Sequence, residues 1–278
     1  MALMRASRAV QILVVVVVLA TPACSRNRGK VLAGALRQPT NPVIVGTSVY
    51  VDTVVDGPVS VGGRFPQEHF RVEVPLNGGP PRTAPLGYPL APDIAAEISA
   101  FSRWDVKATV QDGSDLYVGT SFYGDGRAGA DSEHPAGMVA RIHLPGGAPV
   151  VLASGQSVGG LALDATGIYW VNGCPDGSSQ VVRLSRAGGA LVVLASREHY
   201  RNFLTLDEAR IYWASSGGTI RSIAKGGGRV STLTSFEGQI TGLAVGPDVV
   251  VWTILSMGVV EKRDMGMILP GVLMAVPK

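Results

Sequence analysis

The sequence predicts an all-β chain, a β-propeller of five four-stranded blades with a sixth left open, and three observations predict it. First, residues 159–195, GGLALDATGIYWVNGCPDGSSQVVRLSRAGGALVVLA, read as four short strands with turns between them, and the same pattern occurs four more times. Second, a Leu on the fourth strand of one unit keeps a near-constant distance from the central residue of the second strand of the next. Leu32 to Tyr50, Leu194 to Tyr212 and Leu233 to Val251 are each 18 positions, and Leu152 to Tyr169 is 17. Third, Gly-Gly pairs at 78–79, 146–147, 188–189 and 227–228 fall between third and fourth strands, where a tight hairpin takes positive φ. No helical pattern follows any of these pairs, so they read as turns and not as a phosphate cradle.

Taken in order, residues 1–23 read as an export signal. Arg5 and Arg8 form a basic start, Ile12 to Ala20 is an apolar run shorter than the ~20 residues of a spanning helix, and Thr21-Pro22-Ala23 precedes Cys24. Residues 24–30 form a short basic tether, and 31–278 the propeller domain. Only 16% of residues are charged, while Gly numbers 36 and Pro 18, a composition suited to many short strands and tight turns. The formal net charge is +3 and the Lys and Arg residues are scattered, which argues against nucleic acid as a partner.

The first three strands of the five units begin near Pro42, Asp105, Gly159, Arg201 and Gln239. Within the second strand, alternation puts Ile168 and Trp170 on one face and Tyr169 on the other, and likewise Ile211 and Trp213 against Tyr212. Both faces of a propeller blade pack on neighbours, so these aromatics read as core. Asp164-Ala165-Thr166-Gly167 and Asp207-Glu208-Ala209-Arg210 read as turns. The stretch from Thr83 to Trp104 is an insertion, with Ile94 to Ile98 a short helical or irregular piece, and its 22 residues are too few for four strands.

The last unit ends one strand short. Residues 271–278 resemble the third strand Arg71 to Leu76, and Val31 to Leu36 resembles the fourth strands VVLA at 150–153 and 192–195. The expectation is that Val31 to Leu36 completes the last blade and removes an exposed edge. The competing parse makes Gly258 to Arg263 the third strand and Gly271 to Val276 the fourth.

The LALDATGIYWVN strand pair and the GGALVVLAS hairpin are similar to the repeats of bacterial extracytoplasmic propellers of the YWTD and NHL types. They come closest to the Tyr-Trp-rich repeat lipoproteins of myxobacteria, whose function is unknown. The resemblance covers Val31 to Lys278 and implies six blades where five units are found. It departs from the YWTD pattern, since Val171-Asn172 follows Tyr169-Trp170 and Ala214-Ser215 follows Tyr212-Trp213. The Cys at the end of the signal resembles the lipobox of bacterial lipoproteins, with Thr21 where an aliphatic residue is usual. That implies lipidation of Cys24 and an anchor in the cell envelope. Without lipidation the chain is secreted. With Cys24 lipidated, Cys174 has no disulfide partner.

No catalytic motif and no cofactor motif is present. The four histidines, His69, His134, His143 and His199, show no zinc spacing, and no G-x-S-x-G elbow occurs. Weak metal candidates are Asp125, Asp131, Glu133 and His134, on a loop that Gly124, Gly126 and Gly129 would let bend around a hard cation. A second polar loop, Asn172 to Gln180, carries Cys174 and Asp176. Propeller lactonases resemble the chain in fold and collect Glu, Asn and Asp at the central channel, residue types present here as Glu73, Asn172 and Asp248. The leading expectation is an exported, lipid-anchored binding or scaffold protein that recognises an envelope protein or glycan through loops on one face. The alternatives are a metal-dependent propeller hydrolase or lactonase, and a structural envelope protein.

Overall fold

The structure is a computed structural model and describes residues 30–37, 40–56, 67–84, 101, 104–122, 137–199, 203–215, 218–255, 261–263, 266–268 and 270–278. Strand β1 (Lys30–Arg37) comes first, followed by four consecutive antiparallel meanders. Sheet I contains β2 (Thr40–Val45), β3 (Ser48–Asp56), β4 (Gln67–Pro75) and β5 (Arg82–Ala84). Sheet II contains β6 (Trp104–Asp112), β7 (Asp115–Phe122), β8 (Met138–His143) and β9 (Val150–Ser154). Sheet III contains β10 (Val158–Leu163), β11 (Gly167–Gly173), β12 (Ser178–Ser185) and β13 (Val192–His199). Sheet IV contains β14 (Leu204–Leu206), β15 (Arg210–Ser215), β16 (Thr219–Ala224) and β17 (Ser231–Ser235).

Sheet V starts with β18 (Gln239–Val245) and β19 (Val249–Leu255), and the chain then makes a separate hairpin of β20 (Glu261–Arg263) and β21 (Gly266–Ile268). Strand β22 (Pro270–Pro277) returns to lie between β19 and β1. Val31 is opposite Met274, Ala33 opposite Leu273 and Leu36 opposite Gly271. Residues 261–263 pair with β21 and do not form the third strand of sheet V.

Sheets II to V stack face to face in chain order and sheet V packs in turn on sheet I, as propeller blades do, because the second strands of sheets II to V are apolar on both faces. Ile168 and Trp170 pack with Tyr117 and Val139 of sheet II, while Tyr169 and Val171 pack with Ile211 and Trp213 of sheet IV. Tyr212 and Ala214 meet Val250 and Trp252 of sheet V. On its other face sheet V packs Val251 and Leu273, with Leu32, Ala33 and Leu36 of β1, against Val49, Val51, Val72 and Val74 of sheet I. Trp170, Trp213 and Trp252 are buried. Close approach is needed at Gly119, where a Cβ would lie 2.5 Å from Cγ1 of Val158 on the next sheet. At the Gly188-Gly189 turn φ is +84° and +112°, values that L side chains avoid.

The seam between sheets I and II differs from the rest. The face of sheet II turned away from sheet III carries Leu116, Val118, Ala140 and Ile142, and Phe101 of the inserted segment packs on it. Residues 85–100 and 102–103 of that insertion, the expected piece at Ile94 to Ile98 among them, lie outside the described residues, while Thr83 and Ala84 belong to β5 and Trp104 to β6.

Candidate functional site

Strand direction sorts the connections onto two edges. Turns between first and second strands, and between third and fourth, share one edge and are short. The other two kinds of connection share the opposite edge. On the short-turn edge, Asp164 accepts from the amides of Thr166 (2.7 Å) and Gly167 (2.9 Å), and Asp207 accepts from those of Ala209 (2.9 Å) and Arg210 (2.8 Å). Each Asp also receives a Tyr hydroxyl five residues on and a cation from the next sheet. Tyr212 donates to Asp207 at 2.8 Å and Lys278 at 2.6 Å; Tyr169 donates to Asp164 at 3.5 Å and Lys225 at 2.5 Å. At the seam between sheets II and III, Arg186 donates to Asp112 (2.6 Å) and to the Tyr117 oxygen (2.8 Å).

Burial opposes the charge on Asp164, but Lys225, Thr166 and the turn amides outweigh it and hold its pKa well below the usual carboxylate range. Asp207 is depressed in the same sense: burial opposes its charge, and Lys278, the Arg210 and Ala209 amides and the Tyr212 hydroxyl together outweigh it. Burial first and Asp207 second push the Tyr212 phenol up. This latch joins three seams. At the V–I seam the matching positions are Gly246, Val251 and Leu76, and at the I–II seam they are Val45, Tyr50 and Leu144. Acid and base are absent together at these positions and present together at the other three. The contacts of the latch tie neighbouring sheets together.

The residues singled out in the sequence do not form a site. Asp125, Asp131, Glu133, His134 and Cys24 lie outside the described residues, and among the described residues no three His, Cys, Asp or Glu side chains are grouped to hold a metal. Glu73, Asn172 and Asp248 belong to sheet I, sheet III and sheet V. Glu73 accepts from Ser48 at 2.7 Å, Asn172 accepts from the Ser157 amide at 2.8 Å on the long-loop edge, and Asp248 is exposed on the short-turn edge. Asp176 closes a tight turn by accepting from the amide (2.9 Å) and hydroxyl (2.6 Å) of Ser178, and Cys174 beside it is a free thiol. His143 is exposed and sits 2.9 Å from Asp115, whose pKa that contact lowers.

A polar group of which sequence reading singled out only Glu73 lies on the face of sheet I turned away from sheet V. Cross-strand partners Tyr50 and Glu73, and Asp52 and Arg71, alternate with the valines packed on sheet V. Arg71 donates from Nε to Asp52 at 2.7 Å; its side chain is 7% exposed and its Nη1 has no hydrogen-bond partner among the described residues. The corresponding third-strand positions in the other sheets are Val139, Val181, Ile220 and Leu273, each 0% exposed. The positions matching Asp52 are Gly119, Val171, Ala214 and Thr253. A buried arginine thus stands where the four other sheets place an aliphatic core residue, while the position of its partner Asp52 is aliphatic in two of them, Val171 and Ala214.

No known family's sequence model matches the chain, and no curated protein matches it by sequence. Among solved structures it is similar to TolB from Acinetobacter baumannii (13% identity, TM-score 0.39, 84% of this chain and 52% of that one). It is also similar to a putative TolB from Agrobacterium tumefaciens (12%, TM-score 0.41, 86% and 90%) and to a prolyl endopeptidase (10%, TM-score 0.40, 80% and 40%). The chain spans about half the length of the first of these.

Proposed function

We propose that the chain is an exported, lipid-anchored β-propeller, closed as a five-bladed ring by β1 on β22, that binds an envelope protein or glycan through its long-loop edge. The observation that carries this reading is the distribution of connections between second and third strands. Residues 57–66, 123–137 and 256–269 are long and leave sheets I, II and V, which follow one another around the ring. Their counterparts in sheets III and IV are only residues 174–177 and 216–218. A rigid stack of sheets that offers several long loops from adjacent blades on one edge suits recognition.

The start of the domain supports the same orientation. Lys30 is paired with Ala275 at the short-turn edge, so a tether carrying lipid on Cys24 leaves the ring on the side opposite the long loops. Six residues extend at most ~20 Å, which keeps the short-turn edge near the membrane and turns the long loops away from it. The test is site-specific photocrosslinking in the envelope. Probes at Ser60, Ala130 and Met257 should capture a common partner that probes at Ala187 and Arg229 do not. Equal capture from both edges, or none from the loops, rejects the reading.

A further inference from the structure

We propose that two apolar hairpins on the outer rim of the short-turn edge, Leu144 to Val151 of sheet II and Ala187 to Val193 of sheet III, rest in a lipid bilayer and dock that edge on the membrane. The inference rests on the orientation proposed above and adds a contact made by the fold itself, independent of lipid on Cys24.

Both hairpins join a third strand to a fourth. First strands of neighbouring sheets touch in succession, β6 with β10, β10 with β14, β14 with β18 and β18 with β2, which leaves the fourth strands on the outer rim. Of the exposed large hydrophobic side chains among the described residues, all but Val43 lie where a fourth strand starts at the short-turn edge. They are Val31 in sheet V, Val150 and Val151 in sheet II, and Leu191, Val192 and Val193 in sheet III. Single exposed aliphatic residues are ordinary on a protein surface, but a set gathered on one edge marks a contact. Neither hairpin carries a charged or hydrogen-bonding side chain. The fold does not require this, because the matching hairpins of sheets I and IV carry Asn77 and Arg82, and Arg229, Ser231 and Thr232.

Three observations select a bilayer as the occupant. The chain enters the domain at Lys30, opposite Ala275 on this same edge, and Cys24, the proposed anchor, lies six residues before it. Protein interfaces are anchored by Trp, Tyr and Arg and carry many hydrogen bonds, whereas these hairpins offer only Leu, Val, Ala, Pro and Gly. Register shifts in the β8–β9 and β12–β13 pairs twist the outer strands, which hinders a second copy from adding a strand to either edge. The bases beside the hairpins are engaged: Arg141, opposite Val150, lies 3.8 Å from Asp115, and Arg183, opposite Val192, donates to the Lys225 carbonyl at 3.3 Å. Docking therefore needs no anionic headgroup.

The experiment uses the exported chain, residues 24–278, with Cys24 and Cys174 replaced by Ser, and an environment-sensitive fluorophore on Ala148→Cys, Ala190→Cys or, on the long-loop edge, Pro175→Cys. Titration with phosphatidylcholine vesicles should shift the labels at 148 and 190 to the blue and leave the label at 175 unchanged, at low and high salt alike. Val150, Val151, Val192 and Val193 keep 43% to 53% of their surface open, so changing all four to Thr preserves the β-branched shape and removes only apolar contact. That variant should partition at least about tenfold more weakly and melt as the parent chain does. The proposal is overturned if the labels on the hairpins ignore lipid, if the label at 175 responds equally, if only anionic vesicles bind, or if the Thr variant partitions as before. It is also overturned if the Thr variant melts well below the parent chain, since the valines would then be core, or if the parent is a dimer that ignores vesicles and the Thr variant a monomer. Long loops that crosslink a partner while the hairpins ignore lipid leave the binding reading standing and remove this contact.

Discussion

Trp213 and Trp252 occupy the same position in neighbouring sheets, both are buried, and they differ in one respect. Nε1 of Trp213 donates to Glu198 at 3.1 Å, a carboxylate 3% exposed that also receives Arg221 at 2.6 Å. Nε1 of Trp252 is buried with no partner among the described residues. Replacement by Phe removes a similar ring volume at both positions, so the cavity costs nearly cancel in the comparison. Trp213→Phe also removes a hydrogen bond to a charged group, worth about 1.5 to 3 kcal/mol, and leaves the Glu198 carboxylate with fewer donors. Trp252→Phe removes a donor that was already unsatisfied. Urea unfolding should therefore place Trp213→Phe about 1.5 to 3 kcal/mol below Trp252→Phe, with the same m-value for both. That is a sizeable share of a domain's ~5 to 15 kcal/mol. Equal destabilisation, or a larger loss for Trp252→Phe, would refute the assignment of Glu198 as the functioning acceptor.

Further outcomes concern the latch, the first strand and a turn. Asp164 and Asp207 have folded pKa values below the ~3.9 of an unfolded Asp, so they stabilise the fold above about pH 4 and that contribution is lost as pH falls below it. Lys225→Met should lower the melting temperature at pH 7, and the gap to wild type should persist at about pH 4 and shrink only as pH falls on toward the depressed folded pKa of Asp164; a gap that stays constant into strong acid would show that the cation does not act through Asp164. Leu36→Ala, in the core shared by β1 and sheet I, should cost about 2 to 5 kcal/mol in a denaturant titration, and a change within about 0.5 kcal/mol would remove β1 from the core. Gly188→Ala should destabilise by at least ~1 kcal/mol, since φ is +84° there, and an unchanged melting curve would contradict that turn geometry.

The repeats were legible because sheets III and IV bury both faces of their second strands, which leaves the same apolar rhythm at Ile168-Tyr169-Trp170 and Ile211-Tyr212-Trp213. The strand at Val31 was legible for the same reason: VLA copies the fourth strands of units that have one. The latch was half legible. Asp followed five positions later by Tyr occurs at 112, 164 and 207, and a basic residue directly follows the third strand at 186, 225 and 278, but only the stacking of sheets shows that acid and base belong to adjacent units. Asp52 and Arg71 were not legible, because they are 19 positions apart and ordinary residue types on strands. They stand out only once the register aligns them with Val171 and Val181, or with Ala214 and Ile220. The metal candidates were chosen for side-chain type on a Gly-rich loop, and such a loop carries no periodic signal that fixes where its ligands point.

The proposed orientation of the chain depends on β1 pairing with β22 in one sheet. The direct measurement is disulfide trapping of Val31→Cys with Met274→Cys, in a chain whose Cys24 and Cys174 are replaced by Ser. These positions are opposite each other in the antiparallel pair, where Cα atoms lie about 4.5 to 5.5 Å apart, within the range a disulfide spans. Mild oxidation should join them in nearly every molecule, and closing a loop of roughly 240 residues should stabilise the chain by up to about 5 kcal/mol. Two thiols that stay free under oxidation, or a crosslink that leaves the melting temperature where it was, would contradict a ring sealed by its first strand.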